Sequence, residues 1–286
     1  MSEASASEIS YPPFCVADQD GKANGFSVEL MRSALAAMGY DVTFRTGTWD
    51  EVRKMLEKGE IQALPLTGRT PERENLFDFT FPYMSLHGAI VVRKGTHDIM
   101  ELRDLKGKKI GVMRGDNAEE FLKREGFDTE ISETETFEEA LEKLSEGHFN
   151  AVLIQRLVAL RLIQETGISN LQIVNNPVTG FRQDFSFAVR EGDKKTLELL
   201  NEGLATVMAD GTYRYLHAKW FASLEIPSDR KIIIGGDHNF PPYEFLDENG
   251  IPSGFNVDLS KAIARETGMD IEIILGPWKD MVRDVE

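Results

Sequence analysis

The chain has 286 residues, 41% hydrophobic and 28% charged, which is ordinary for a globular protein with room for one to three domains. Its formal net charge of −16 argues against a nucleic-acid partner, and no apolar run approaches the roughly 18–20 residues of a membrane span. Cys15 is the single cysteine, which excludes an internal disulfide and leaves the redox compartment open.

The elements follow in chain order. Residues 2–7 hold no apolar residue but alanine, so a strand there is expected to be absent or very weak. The start also lacks the basic and apolar regions of a signal peptide. Tyr11 stands before Pro12 and Pro13, which predicts a loop. Asp18, Asp20 and Gly21 superficially suggest a calcium loop, but the glycine misses the required sixth position, and a hairpin turn is expected. Tyr40–Arg45 reads as a strand. Trp49–Glu57 follows as a helix with Trp49, Val52 and Leu56 on one face, and Ile61–Leu66 as a second strand.

Lys109–Met113 is a further strand and Asn117–Arg124 a helix. Over Thr136–Gly147 the pattern is helical, with Thr136 and Glu139 as a capping-box pair and Phe137, Ala140, Leu141 and Leu144 as the stripe. Ala151–Ile154 and Leu157–Glu165 repeat the strand-then-helix order, and residues 195–221 are helical. Such alternation implies an α/β fold, with parallel sheets covered by helices on both faces. Gly88–Arg93 and Phe185–Arg190 break it. They are extended, end alike, and bracket a βαβαβ stretch of about 90 residues. A lobe inserted into another through two strands is a hinge architecture that closes on a ligand.

Residues 11–57 recur without a gap as 240–286. Pro12, Pro13, Gly25, Phe26, Val28, Leu30 and Trp49 return as Pro241, Pro242, Gly254, Phe255, Val257, Leu259 and Trp278. The offset of about 229 residues is the size of a whole domain, far beyond solenoid periods. Residues 1–228 are therefore expected to form one module and 229–286 the start of a second, truncated copy. The first lobe would comprise 1–88 and 189–228, the second 89–188, with a linker at Ile226–Asp229. Lys231–Gly235 is expected to pair with its own Ile271–Leu275; the alternative is that it fills an empty slot in the first module's sheet.

Tyr11 to Phe14, Asp20, Gly21 and Gly25 to Leu30 resemble the opening of a known family. Thr70 to Arg73, then Phe77 to Tyr83, resemble its second signature; Leu105 to Gly107, Ile110 to Val112, Gly115 and Asp210 to Tyr213 complete the likeness. The family is that of type II extracytoplasmic solute-binding proteins of the amino-acid-binding kind, solute-binding family 3. The likeness covers about 8–222 and resumes at Lys231. It implies the two-lobed periplasmic-binding-protein type II fold, the Venus flytrap with hinge strands, and a periplasmic or extracytoplasmic place. Tandem modules of this kind are typical of the sensor regions of some bacterial histidine kinases.

The resemblance also implies a site. Arg73 matches the arginine that forks onto a ligand carboxylate; the competing reading is a solvated arginine between Glu72 and Glu74. Tyr11 and Trp49 match two aromatic walls, and Trp49 reads equally well as a packed helix-start residue. Glu8 matches an acidic position that can touch ligand side chains. Leu66 and Gly68 precede the second signature, with Gly68 standing where the family often has a Ser or Thr hydroxyl. Asp116 and Asn117 open a helix whose terminus either binds an anion or is capped by Asp116. Gln155 replaces the family's aspartate for the ligand ammonium, and Arg156 beside it adds positive charge.

The five histidines lack metal-ligand spacing, and no nucleophile elbow or phosphate loop is present, so no metal, cofactor or catalytic residue is expected. The expected partners are a small carboxylate or amino acid, and the membrane-receptor or kinase part of a longer chain, with no nucleic acid. Binding by hinge closure is the leading reading; the oligomeric state is left open. One alternative is a cyclohexadienyl dehydratase-like enzyme using Glu8, Asp116 or Asp184 as acid. Another is a ligand-independent structural receptor module.

Overall fold

The structure, a computed structural model, describes residues 2–176, 178, 180–225, 231–267 and 270–283. The linker expected at Ile226–Asp229 lies outside the described residues. Two compact units are present, Met1–His217 and Ala218–Glu286.

The first unit begins with β1 (Ser2–Glu8), a full strand where almost none was expected. It pairs in parallel with β5 (Asp41–Gly47) along its whole length and touches β6 (Ala63–Gly68) at Ser5. Its composition misleads because the strand is interior. Ser5, Ala6 and Ser7 are buried, the Ser5 hydroxyl donates to the Ala63 carbonyl at 2.8 Å, and small side chains fit under α2 (Trp49–Glu57). Backbone pairing rather than hydropathy holds the strand in place. The strand expected at Ile61–Leu66 starts two residues later, as β6.

A small meander of β2 (Ser10–Tyr11), β3 (Cys15–Ala17) and β4 (Ala23–Asn24) carries the expected hairpin turn. The Asp18 carboxylate accepts from the Asp20 and Lys22 amides, closing that turn. Helix α1 (Phe26–Ala37) buries Phe26, Leu30 and Ala34 and packs on α6 (Lys194–Ala209). A Cβ on Gly203 would come within 2.3 Å of the Ala34 carbonyl, so only glycine permits this approach. The helical stretch 195–221 divides at Asp210 and Gly211 into α6 and α7 (Thr212–Glu225).

The long sheet runs β5, β1, β6, β13 (Arg182–Arg190), β8 (Met84–Arg93), β11 (Ala151–Gln155), β9 (Lys109–Met113) and β10 (Glu130–Thr134), and two strands hand it from one lobe to the other. In β8 the first half pairs with β13. Its second half pairs with β11 and β12 (Leu171–Ile173). Further along, β13 pairs with β6 and with β7 (Phe77–Phe79). At the handover, Gly88 leaves room for Phe181, whose ring would lie 1.9 Å from an added Cβ. The second lobe adds β9 (Lys109–Met113), α3 (Asn117–Arg124), β10 (Glu130–Thr134), α4 (Phe137–Ser145) and α5 (Arg156–Thr166). Thr136 caps α4 as expected. The Glu139 carboxylate, however, accepts from the Glu135 amide rather than completing the box on Thr136.

In the second unit β14 (Ile232–Asp237) pairs in parallel with β18 (Ile271–Gly276), the favoured of the two arrangements weighed from the sequence. Between them lie β15 (Asn239–Phe240), β16 (Glu244–Leu246), β17 (Pro252–Ser253) and α8 (Phe255–Thr267); α9 (Trp278–Arg283) follows. Asp247 closes the turn as Asp18 does. Burial differs sharply between the repeats. Phe255, Leu259 and Trp278 are 63%, 48% and 58% exposed, against 4% or less for Phe26, Leu30 and Trp49.

Candidate functional site

Every first-lobe candidate sits at the carboxyl end of a strand or in the loop that follows, where open α/β sheets place their ligands. Glu8 ends β1, Tyr11 ends β2, Trp49 opens α2 after β5, and Leu66 and Gly68 end β6. Arg73 lies in the turn that follows, its amide bonded to the Thr70 carbonyl. From the second lobe, Asp116 caps α3 and Asn117 is its first residue. These eight residues and Phe185 line one cavity of about 10 Å³, room for about one water. Gln155 is not on its wall. It ends β11 fully buried, with Nε2 donating to Asn117 Oδ1 at 3.1 Å and Oε1 lacking a partner. Arg156 is exposed and spends its charge on solvent.

Arg73 is 3% exposed, so the solvated-arginine reading fails. Its guanidinium carbon stands 4.7 Å from the Trp49 ring centroid, a cation–π contact. Each of its three nitrogens donates: Nε to Glu120 Oε1 at 3.0 Å, Nη1 to the Gly68 carbonyl at 3.2 Å and Nη2 to the Gly115 carbonyl at 2.9 Å. Trp49 Nε1 donates to the same Gly115 carbonyl at 2.7 Å. Trp49 is thus both a packed helix-start residue and a cavity wall. On the opposite side, Tyr11 packs on Phe137 of the second lobe with ring centroids 5.9 Å apart.

Two acids face this arginine. Burial first, then the Asp116 charge, push the Glu8 carboxyl up to about 8, partly offset by Arg73. Burial likewise raises Asp116 to about 7, against the pull of the Ala118 amide it caps and of Arg73. The Asp116 carboxylate accepts from the Ala118 amide at 2.8 Å and Glu119 takes the Gly115 amide, so the start of α3 is capped by the protein's own acids. An anion there would meet carboxylates rather than free amides.

Gly68 has a packing reason. A Cβ there would lie 2.9 Å from Gln183 Cγ and 3.0 Å from Asn117 Nδ2, so the space of the expected hydroxyl is already filled. Sequence reasoning missed Phe185, Gly115 and Glu120. Glu120 carried a legible signal, since it stands three and four residues beyond Asn117 and Asp116 on one face of α3.

A profile of bacterial extracellular solute-binding proteins, family 3, matches residues 5–223 and again 232–286. The chain belongs to this family. It is 30% identical over 218 residues to the L-cystine-binding protein TcyJ of Escherichia coli (strain K12), covering 76% of this chain and 81% of that one. A histidine kinase sensor domain with similarity to periplasmic binding proteins superposes with a TM-score of 0.73 at 30% identity, over 77% of this chain and 96% of that one. An ancestral arginine-binding protein bound to glutamine gives 0.71 at 32% identity, over 77% and 97%. This solute-binding protein therefore has the type II periplasmic-binding fold, and its relatives include cystine- and arginine-binding proteins. Among the described residues no helix is long and apolar enough to cross a membrane.

Proposed function

We propose that this chain is an extracytoplasmic sensor module that binds a small amino-acid-like solute between its lobes and reports hinge closure to a membrane receptor such as a histidine kinase. The observation that carries this reading is a cavity built from both lobes around the Arg73–Trp49 pair. Support for the ligand class comes from relatives that bind cystine or arginine and from the ancestral protein holding glutamine. The neutral Gln155 removes one partner for a ligand ammonium, but Glu8 and Asp116 keep two acceptors on the cavity wall. A thermal-shift screen of the full chain against L-cystine, L-arginine and L-glutamine tests it, because a true ligand stabilises the folded state by mass action. No shift with any amino acid or small carboxylate overturns the binding reading.

A second reading has one observation in its favour. Glu8, whose carboxyl burial pushes up to about 8, suits general-acid chemistry of the dehydratase kind. Incubation with prephenate or arogenate decides it by the presence or absence of product.

A further inference from the structure

A two-bond junction between the lobes is made by a residue with no assigned role. Glu120 lies in the first turn of α3, in the second lobe. Its Oε1 accepts from Arg73 Nε at 3.0 Å and its Oε2 from the Thr70 hydroxyl at 2.9 Å. Both donors belong to the turn leaving β6, in the first lobe. The Arg73 and Glu120 side chains are 3% and 15% exposed, so solvent screens this pair little. A second pair, Arg124 to Glu72 at 3.0 Å, joins the same helix and turn at the surface.

This arrangement is that of a bound carboxylate, with each oxygen on its own donor. An arginine receives a carboxylate best through two adjacent nitrogens in a fork. Here Nε serves Glu120, which takes the side-on fork that needs Nε, and each terminal nitrogen already gives one of its two N–H groups to a carbonyl. The neighbouring space is taken too: Asn117 and Gln183 fill the side-chain position of Gly68, and the cavity of about 10 Å³ is far below the size of an amino acid.

We propose that Glu120 is a tethered stand-in for a ligand carboxylate: it occupies Arg73, latches the lobes closed, and makes entry of any free carboxylate a displacement. Exchanging one carboxylate for another on the same arginine changes the local charge little. Affinity must then come from the rest of the ligand, and a bare carboxylate is rejected. A ligand shifts an equilibrium only by its differential affinity for the two states, so a self-latched module rests closed and responds only to solutes that outcompete the latch. The selectivity rests on the cleft being the ligand site; the latch itself is tested without ligand.

The experiment is a pair of spin-label distance measurements on the full chain, labelled at Lys58→Cys in the first lobe and Lys106→Cys in the second. Both positions are exposed, and the native Cys15 is buried. With Glu120 intact, a single short distance is expected in ligand-free protein. Glu120→Gln should add a longer population, and Glu120→Asp, which keeps the charge but shortens the reach, should do the same to a smaller degree. In the Glu120→Gln chain L-glutamine should bind at least about tenfold tighter than in the parent, since the competent open state is no longer suppressed. Identical distance distributions in all three proteins overturn the latch, whatever they bind. A longer population in the variants without binding of any amino acid upholds the latch and overturns the ligand-site reading instead.

Discussion

The guanidinium of Arg73 lies over the Trp49 ring at 4.7 Å, and both side chains donate to one acceptor, the Gly115 carbonyl. The carbonyl belongs to the second lobe and the donors to the first, so one backbone oxygen ties the aromatic wall and the charged group to the same interlobe contact. Loss of either donor should therefore be felt in closure as well as in binding.

Arg73→Ala should abolish stabilisation by L-glutamine and L-arginine in thermal-shift or calorimetric titration. It also takes the arginine from the Glu120 carboxylate and the Gly68 carbonyl, while Gly115 keeps Trp49 and Glu120 keeps Thr70, so the folded state should lose about 1–3 kcal/mol in urea unfolding. Arg73→Lys should rescue little, because a point ammonium cannot reproduce three directional bonds. Unchanged binding in the alanine variant would remove Arg73 from the site.

Gly68→Ser restores the hydroxyl that the family often carries, into space held by Gln183 and Asn117. Steric pressure between the lobes should lower unfolding stability by about 1–3 kcal/mol and lengthen the interlobe spin-label distance. A serine variant as stable and as closed as the parent would show that Gly68 is not held by packing.

Glu8 and Asp116 have pKa values raised to about 8 and about 7, from 4.5 and 3.8. Across that window the folded chain holds more protons than the unfolded one, so their contribution to stability falls as pH rises. It is complete below the unfolded values and lost as pH passes through the folded ones. The stability of Glu8→Gln relative to the parent should rise from about pH 4.5 to about pH 8 and level off above, by at most about 1.4 kcal/mol per pH unit. A difference independent of pH would mean Glu8 is charged throughout.

Deleting residues 229–286 should leave the first unit folded, because β1 already fills the sheet between β5 and β6. Amide exchange of Ala63–Gly68 should be unchanged in the shortened chain. Faster exchange there would show that the second unit supports the first.

The sequence by itself determined the alternation of strands and helices, the two crossover strands, the internal repeat and the family. Those features are written in local periodicity and in glycine and proline spacing, which act over a few residues. Even Thr48 and Thr136 take their caps from neighbours three positions away. The strand at Ser2–Glu8 was hidden because its stability lies in pairing with residues about forty and sixty positions on, not in its own hydropathy. The acid-rich β10 was hidden likewise, held by its ladder to β9. Composition showed that the cavity residues were polar and aromatic. Only tertiary structure decided that Arg73 meets Glu120 across forty-seven residues of chain, and that burial raises Glu8 and Asp116. Desolvation and long-range pairing depend on what surrounds a group in space, and sequence spacing carries no measure of that.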